Sequence, residues 1–363
     1  MRVAIHAGTL RGSGSAAVGQ ALLRELLKHD DLSAVAWCPR EWIVPPSKNL
    51  LIRKTRGGML RKLETEMLDI PRQIRAANSD VLLSMTDTSA PFVRVPHVLF
   101  VQQAFLAYPR SQLFFRDSKR FSLKAELMAA YFRLSLGSVR LYTVQTQDMK
   151  AHLCERWGIA PSRVLVIPSS VPSDILERVG TASGSSEPYL IYVAGPGLHK
   201  NHSVLPQTLR ALNNPSTKLG VTLRVGDLPT FDAQVLDLGL RGQVEYLGQL
   251  SRPALLARLA KASIAVIPSH LESFGLAYYE ALALGVPIVA ANKGFAREAC
   301  GPAALYAERD DPEAYAAHIA PLLDSEQALR AARDASLTRF AEVHVPWPDI
   351  GGRYIAALRE VLA

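Results

Sequence analysis

Cysteine is scarce in this sequence: Cys38, Cys154 and Cys300 are the three in 363 residues, widely spaced and without a Cys-x-x-Cys pair. Their odd number and spacing exclude a disulfide framework and a zinc site, and predict buried, reduced thiols. Long apolar runs are missing too. Hydrophobic residues make up 48% of the chain, yet no uninterrupted run approaches the ~18 to 20 residues that span a bilayer. The amino terminus, MRVAIHAGTLRGSG, turns polar and glycine-rich within a few residues, unlike a signal peptide. A cytoplasmic location is therefore expected. There is no nucleic-acid-binding motif, so no nucleic-acid partner is expected. No tandem repeat or low-complexity tract is present outside one linker.

Acidic residues are under-represented in the first half of the chain. Residues 1–181 hold 25 Lys and Arg against 15 Asp and Glu, a net +10, while the remainder holds 16 against 18, a net −2. Such asymmetry points the first half at something anionic, and an anionic membrane surface is the partner expected. Two segments carry the excess. Residues 53–75 interleave Arg53, Lys54, Arg56, Arg61, Lys62, Arg72 and Arg75 with apolar residues at helical spacing. Residues 110–140 mix Phe114, Phe115, Phe121, Tyr131 and Phe132 with Arg116, Lys119, Arg120, Lys124 and Arg133. A basic amphipathic helix with aromatics can lie on an anionic bilayer. Equally, the apolar stripes can be core and the basic ones a solvated face.

The remainder alternates apolar strands with amphipathic helices in two series, which predicts an α/β protein with two doubly wound parallel-sheet domains facing a cleft. Residues 1–170 form the first domain, 171–188 a Ser-, Gly- and Pro-rich linker, and 189–346 the second. The first domain opens with a strand at 2–6, a glycine loop at 8–14 and a helix at 16–28. Strands are expected at 80–84, 97–101, 139–144 and 164–167. The second domain opens with a strand at 189–193 and the turn AGPGLHKNH, where Lys200 stands before a helix and can meet a phosphate as a point charge. Strands at 221–225 and 244–247 follow, then a helix at 253–261. The last helix, 347–362, carries Ile350, Tyr354, Ile355, Leu358 and Val361 on one side.

Residues 262–291, ASIAVIPSHLESFGLAYYEALALGVPIVAA, organise the second domain. They read as a buried strand (264–267), a polar loop (268–274), a helix (275–284) stopped by Gly285, and a further strand (286–291). In parallel sheets ligands sit beyond the carboxyl ends of the strands, which is where Glu272 and Glu280 lie. Eight helical steps would leave the two carboxylates roughly 80° apart and about 12 Å along an axis, so one helix face cannot hold both. With Glu272 in the loop and Glu280 in the helix, both can face one ligand, with the free amides of Phe274, Gly275 and Leu276 between them. Those amides and the helix dipole attract a phosphate, and the carboxylates accept hydrogen bonds from hydroxyls. That combination suits a nucleotide-sugar.

The run from Glu272 through Ser273, Phe274, Gly275 and Leu276 to Glu280, preceded by Pro-Ser and followed by ALALGVP, resembles the E-x7-E signature of the retaining glycosyltransferases of family 4. The resemblance covers nearly the whole chain, with its specific motifs between residues 189 and 302. It implies a GT-B fold, with the first domain on the acceptor side, the second binding the donor, and the terminal helix crossing back onto the first, although the helix's own stripe could equally cap the second. It implies transfer of a hexose from a nucleotide-diphosphate-sugar to an acceptor hydroxyl, with retention at the anomeric carbon. Glu272 and Lys200 are then the catalytic residues: Lys200 and the amides at Phe274, Gly275 and Leu276 stabilise the departing diphosphate, Glu272 holds sugar hydroxyls, and Glu280 holds the ribose. Gly12 and Gly14 match the loop that closes over the donor, with Ala16 where a third glycine often stands. Two departures stand out. Gln102 and Gln103 occupy the place of a sugar-contacting histidine, and Gly195 replaces an arginine, for which His199 can supply part of the missing donor capacity.

No Asp-x-Asp motif sits in a suitable loop, so neither metal nor other cofactor is expected. The acceptor is expected to be a glycan or a lipid-linked sugar of the bacterial cell envelope, such as lipopolysaccharide, met at the inner membrane surface. Two other readings stay open: a catalytically silent nucleotide-sugar-binding protein of the same fold, and a glycosidase using Glu272 and Glu280 as its carboxylate pair.

Overall fold

The computed structural model describes residues 1–11, 13–44, 46–88, 90–91, 93–113, 119–184, 187–308 and 310–363. They form two units, 1–170 with 345–363, and 171–344.

The first unit is built on β1 (Arg2–His6), β2 (Ser33–Pro39), β3 (Leu50–Thr55), β4 (Val81–Ser84), β5 (His97–Phe100), β6 (Val139–Val144) and β7 (Val164–Val166). Among the described residues these make one seven-stranded sheet, ordered β3-β2-β1-β4-β5-β6-β7, with every neighbouring pair parallel. β1, β4 and β5 are buried almost throughout, as continuous apolar strands covered on both faces should be. β2 lies outside the strands expected from the sequence, and β3 runs into the start of the segment 53–75 expected to be helical. β3, LLIRKT, is an edge strand with only Thr55 buried, so its apolar pattern is weak. Helical structure starts after it, at Met59–Glu64, passes through a π-helical turn at Thr65–Asp69 and resumes at Ile70–Ala76. In the other basic segment the helix is Lys119–Ser135; Phe114, Phe115 and Arg116 lie outside the described residues.

The C-terminal helix Trp347–Glu360 belongs to this unit. Its buried face carries Ile350, Tyr354, Ile355 and Leu358. The Tyr354 hydroxyl is 3.2 Å from that of Thr143 on β6, its ring packs on Phe100 of β5, and Arg140 donates to the Val361 carbonyl.

The second unit repeats the plan with β8 (Tyr189–Tyr192), β9 (Lys218–Val221), β10 (Val244–Tyr246), β11 (Ile264–Ile267), β12 (Ile288–Ala291) and β13 (Ala304–Ala307). Their order is β10-β9-β8-β11-β12-β13, again parallel. The strand expected at 221–225 lies earlier: β9 is KLGV, and it accommodates Gly220 because a Cβ there would stand 2.1 Å from the Tyr189 hydroxyl. Residues 171–188 are not a free linker along their described length. A helical turn, Ser173–Leu176, is followed by chain whose Gly180, Ala182 and Ser183 amides donate to the carbonyls of Ala283, Leu284 and Ala260.

Among the described residues no helix is long and apolar enough to cross a membrane. Cys38 and Cys300 are buried thiols, Cys38 pushed up to about 11 by burial, whereas Cys154 is only partly covered.

Candidate donor site of the second unit

The strand order of the second sheet reverses between β8 and β11. Ligands of open parallel sheets bind at such a switch point, where two loops leave neighbouring strands in opposite directions. Here the loop after β8 carries Lys200 and the loop after β11 carries Glu272. The two meet: Lys200 Nζ donates to Glu272 Oε1 at 2.6 Å. Ser269 Oγ donates to the same oxygen at 2.7 Å, the Tyr192 hydroxyl is 2.8 Å from Ser269 Oγ, and it donates to the Lys200 carbonyl at 2.9 Å. Both loops are also tied by the His270 amide donating to the His199 carbonyl at 2.7 Å. Burial pushes the Glu272 carboxyl up, but Lys200 and the Ser269 hydroxyl outweigh it and hold the group below the usual carboxylate range. Glu272 is therefore an ionised acceptor at neutral pH. Half-buried His199 is held below the usual imidazole range by burial and by Lys200, which makes it a neutral neighbour.

The helix after Glu272 runs Leu276–Leu284, capped at both ends by left-handed glycines. Gly275 has φ 75°, and an added Cβ would fall 2.5 Å from the Tyr278 ring, so glycine alone fits the bend. The N-cap residue is Gly275, which has no side chain to offer the first amides of the helix. Phe274 stacks on Tyr279 with ring centroids 4.1 Å apart, fixing the loop that supplies those amides.

Glu280 is neither solvated nor free. It is 5% exposed, and Arg252 Nη1 donates to its Oε1 at 2.5 Å while Arg252 Nε reaches Asp174 at 3.1 Å. Burial lifts the Glu280 carboxyl despite Arg252, whereas Arg252 is held above its own range by Glu280 and Asp174 against burial. These shifts point apart, and the short contact decides for an ion pair. Arg252 and Asp174 escaped the sequence reading because they lie 28 and 106 residues from Glu280, with only a helix start and a Pro-rich tract to mark them.

The remaining expected residues lie in the first unit. Gly12 is outside the described residues. Gly14 stands in the first turn of the helix Ser13–Leu26, not in the loop before it, with open space around its Cα. Gln102 is 7% exposed and its side-chain amide donates to the Met85 carbonyl, so that amide serves the protein's own backbone. Gln103 is partly exposed. The backbone amides of both donate to Asp87 Oδ1 at 2.6 and 2.7 Å; burial nevertheless pushes the Asp87 carboxyl up to about 6. Among the described residues no cluster of His, Cys, Asp or Glu has the makings of a metal site.

Comparison with known proteins gives these features a class. Residues 175–338, just under half of the chain, match the family model described as "Glycosyl transferases group 1". The MMP alpha-(1->4)-mannosyltransferase of Mycolicibacterium hassiacum is 29% identical over 216 residues, covering 57% of this chain and 51% of that one. The O-antigen chain mannosyltransferase B of Escherichia coli is 38% identical over 103 residues, 28% of this chain and 27% of its own. The match thus spans about half or less of the length of these curated relatives. Solved structures extend the likeness to the whole fold. Sucrose-phosphate synthase from Thermosynechococcus elongatus superposes with a TM-score of 0.77 at 16% identity over 99% of both chains. Anabaena HepE, solved with UDP-glucose, gives 0.72 at 15% identity over 99% of this chain and 100% of that one. WaaG, a glycosyltransferase involved in lipopolysaccharide biosynthesis, gives 0.73 at 15% identity over 98% and 99%. The fold is GT-B, and the residues that match the glycosyl transferases group 1 model lie within its second unit.

Proposed function

We propose that this protein is a retaining glycosyltransferase of family 4, with the E-x7-E pair at Glu272 and Glu280. It transfers a hexose from a nucleotide-diphosphate-sugar to an acceptor hydroxyl. The observation that carries this reading is the Lys200–Glu272 pair at the β8/β11 switch point, beside a helix N-terminus whose cap residue is a glycine. A lysine has three donors, so one proton can stay on Glu272 while others meet a diphosphate. The amides of Gly275 and Leu276 add a dipole that favours the same anion. Catalysis on this account is positioning plus stabilisation of the departing diphosphate, with no protein nucleophile and no metal. Glu272 orients sugar hydroxyls. Glu280, held by Arg252, presents its remaining oxygen to the ribose.

The state of the carboxylates argues against a glycosidase. Such an enzyme needs a protonated acid beside a second carboxylate, whereas Glu272 is held ionised by Lys200 and Glu280 is salt-bridged to Arg252. HepE and WaaG make a nucleotide-sugar donor and an envelope glycan acceptor the first choices to test, and the basic first half of the chain makes a lipid-linked acceptor at an anionic membrane surface the natural extension. The test is nucleotide release from a panel of donor sugars. Lys200→Ala is expected to lower kcat/KM by 100-fold or more, and chelator is expected to change nothing. Equal turnover by wild type and Lys200→Ala would refute the assignment of the cation.

A further inference from the structure

A second concentration of charge lies in the first unit, beside the loop that carries Gly8 and Arg11. A cavity of about 480 Å3 opens at the carboxyl ends of β2 and β3, bounded by the helical run 61–72. Arg40, Arg53, Lys54, Arg56, Arg61 and Arg72 line it, against only two carboxylates, Glu64 and Asp69. Those carboxylates are already engaged. Asp69 accepts a two-pronged contact from Arg53 at 3.0 and 3.1 Å and a further bond from the Trp37 indole at 2.6 Å, and Glu64 pairs with Arg61 at 2.5 Å. Lys54 donates to the Trp42 carbonyl. Among the described residues, no ion pair neutralises Arg40, Arg56 or Arg72, all three exposed on the cavity side of the unit.

Scattered surface arginines are ordinary; six cations converging on one concavity repel one another and gather field there. The local backbone holds them in place. β3 brings Arg53 and Lys54 into register with Trp37 and Cys38 of β2. The π-helical turn Thr65–Asp69 then divides the helix by function. Glu66 turns inward, fully buried, to His6 at 3.0 Å, while Asp69 faces the cavity and fixes Arg53. π-turns inside helices recur where a side chain must be re-aimed at a functional site.

We propose that this cavity binds a phosphate-bearing ligand: a phosphomonoester or phosphodiester whose oxygens are forked by Arg56 and Arg72, with Arg53 held ready by Asp69. Guanidinium forks match phosphate geometry, and the volume takes the sugar or glycerol attached to the phosphate as well as the ion itself. That the ligand is the acceptor rests on the glycosyltransferase reading; the anion site does not. The same chemistry has two sources, a soluble sugar phosphate and a phospholipid headgroup, and the experiment separates them.

The test titrates the full chain at low salt with glucose, with glucose 6-phosphate, and with vesicles of phosphatidylcholine with or without phosphatidylglycerol, comparing wild type with Arg56→Ala/Arg72→Ala. Neither arginine is in an ion pair among the described residues, so the variant should fold, as its thermal transition will show. The expected result is at least tenfold tighter binding of glucose 6-phosphate than of glucose, or capture by anionic but not neutral vesicles, in either case lost at least tenfold in the double variant. Binding of the sugar phosphate identifies a soluble ligand, and binding of the vesicles alone a headgroup. Absence of both, or retention of either in the double variant, overturns the proposal. Phosphate binding without stabilisation by any nucleotide-sugar would remove the glycosyltransferase reading and leave the anion site standing.

Discussion

At the scale of single residues the candidate site is a set of charges, partly or wholly buried, that cancel in pairs. Removing one member should cost stability as well as function. Arg252→Ala leaves Glu280 buried without a cation, at a cost of about 1 to 3 kcal/mol once the partial exposure of Arg252 is allowed for; Arg252→Met with Glu280→Gln should recover most of it, read by urea denaturation. Asp87 makes a prediction of the opposite kind. Its folded carboxyl sits near 6 against an ordinary 3.8, so between about pH 4 and 6 the native state binds more protons than the unfolded chain, and stability falls as pH rises through that window. Asp87→Asn keeps an oxygen for the two amides and tolerates the left-handed φ of 66°. It should flatten that slope and be more stable at pH 7 by about 1 to 3 kcal/mol. Glu272 and Lys200 were legible in the sequence because strand, turn and helix signals bracket them closely. Arg252 and Asp174 were not, since a contact closed only by tertiary folding leaves no local pattern.

At the scale of elements, the helix Leu276–Leu284 and its two glycines carry the site. Gly275→Ala places a Cβ against the Tyr278 ring in a backbone conformation that L-residues avoid. The expected loss is about 1 to 3 kcal/mol of unfolding free energy, with a weaker donor affinity, both measurable in one calorimetric series. Buried central strands such as β11 and β12 were readable from continuous apolar runs. The edge strand β3 was not, because half-exposed LLIRKT has the composition of a basic helix face. β9 was displaced for a related reason: the apolar letters of VTLRV outweigh those of KLGV, although the sheet uses the latter and packs Tyr189 over Gly220.

At the scale of the whole molecule, two parallel sheets of the same winding were foreseeable from alternating strands and helices. Where the last helix docks was not a matter of pattern, since an amphipathic stripe names no partner. Its buried Tyr354, wedged against Phe100 and Thr143, gives the first unit a dependence on the last residues of the chain. Tyr354→Ala should cost about 3 to 5 kcal/mol and raise hydrogen exchange in β5 and β6.

The central claim, that the second unit binds a nucleotide-diphosphate-sugar through Lys200 and the Leu276 helix terminus, is tested most directly by thermal stabilisation with UDP-, GDP-, ADP- and dTDP-sugars. A donor at ~100 times its dissociation constant adds about 2.7 kcal/mol. One nucleotide class should raise the transition of the wild type and leave Lys200→Ala unmoved. A shift that survives in Lys200→Ala, or no shift with any donor while the protein is folded, would contradict the account.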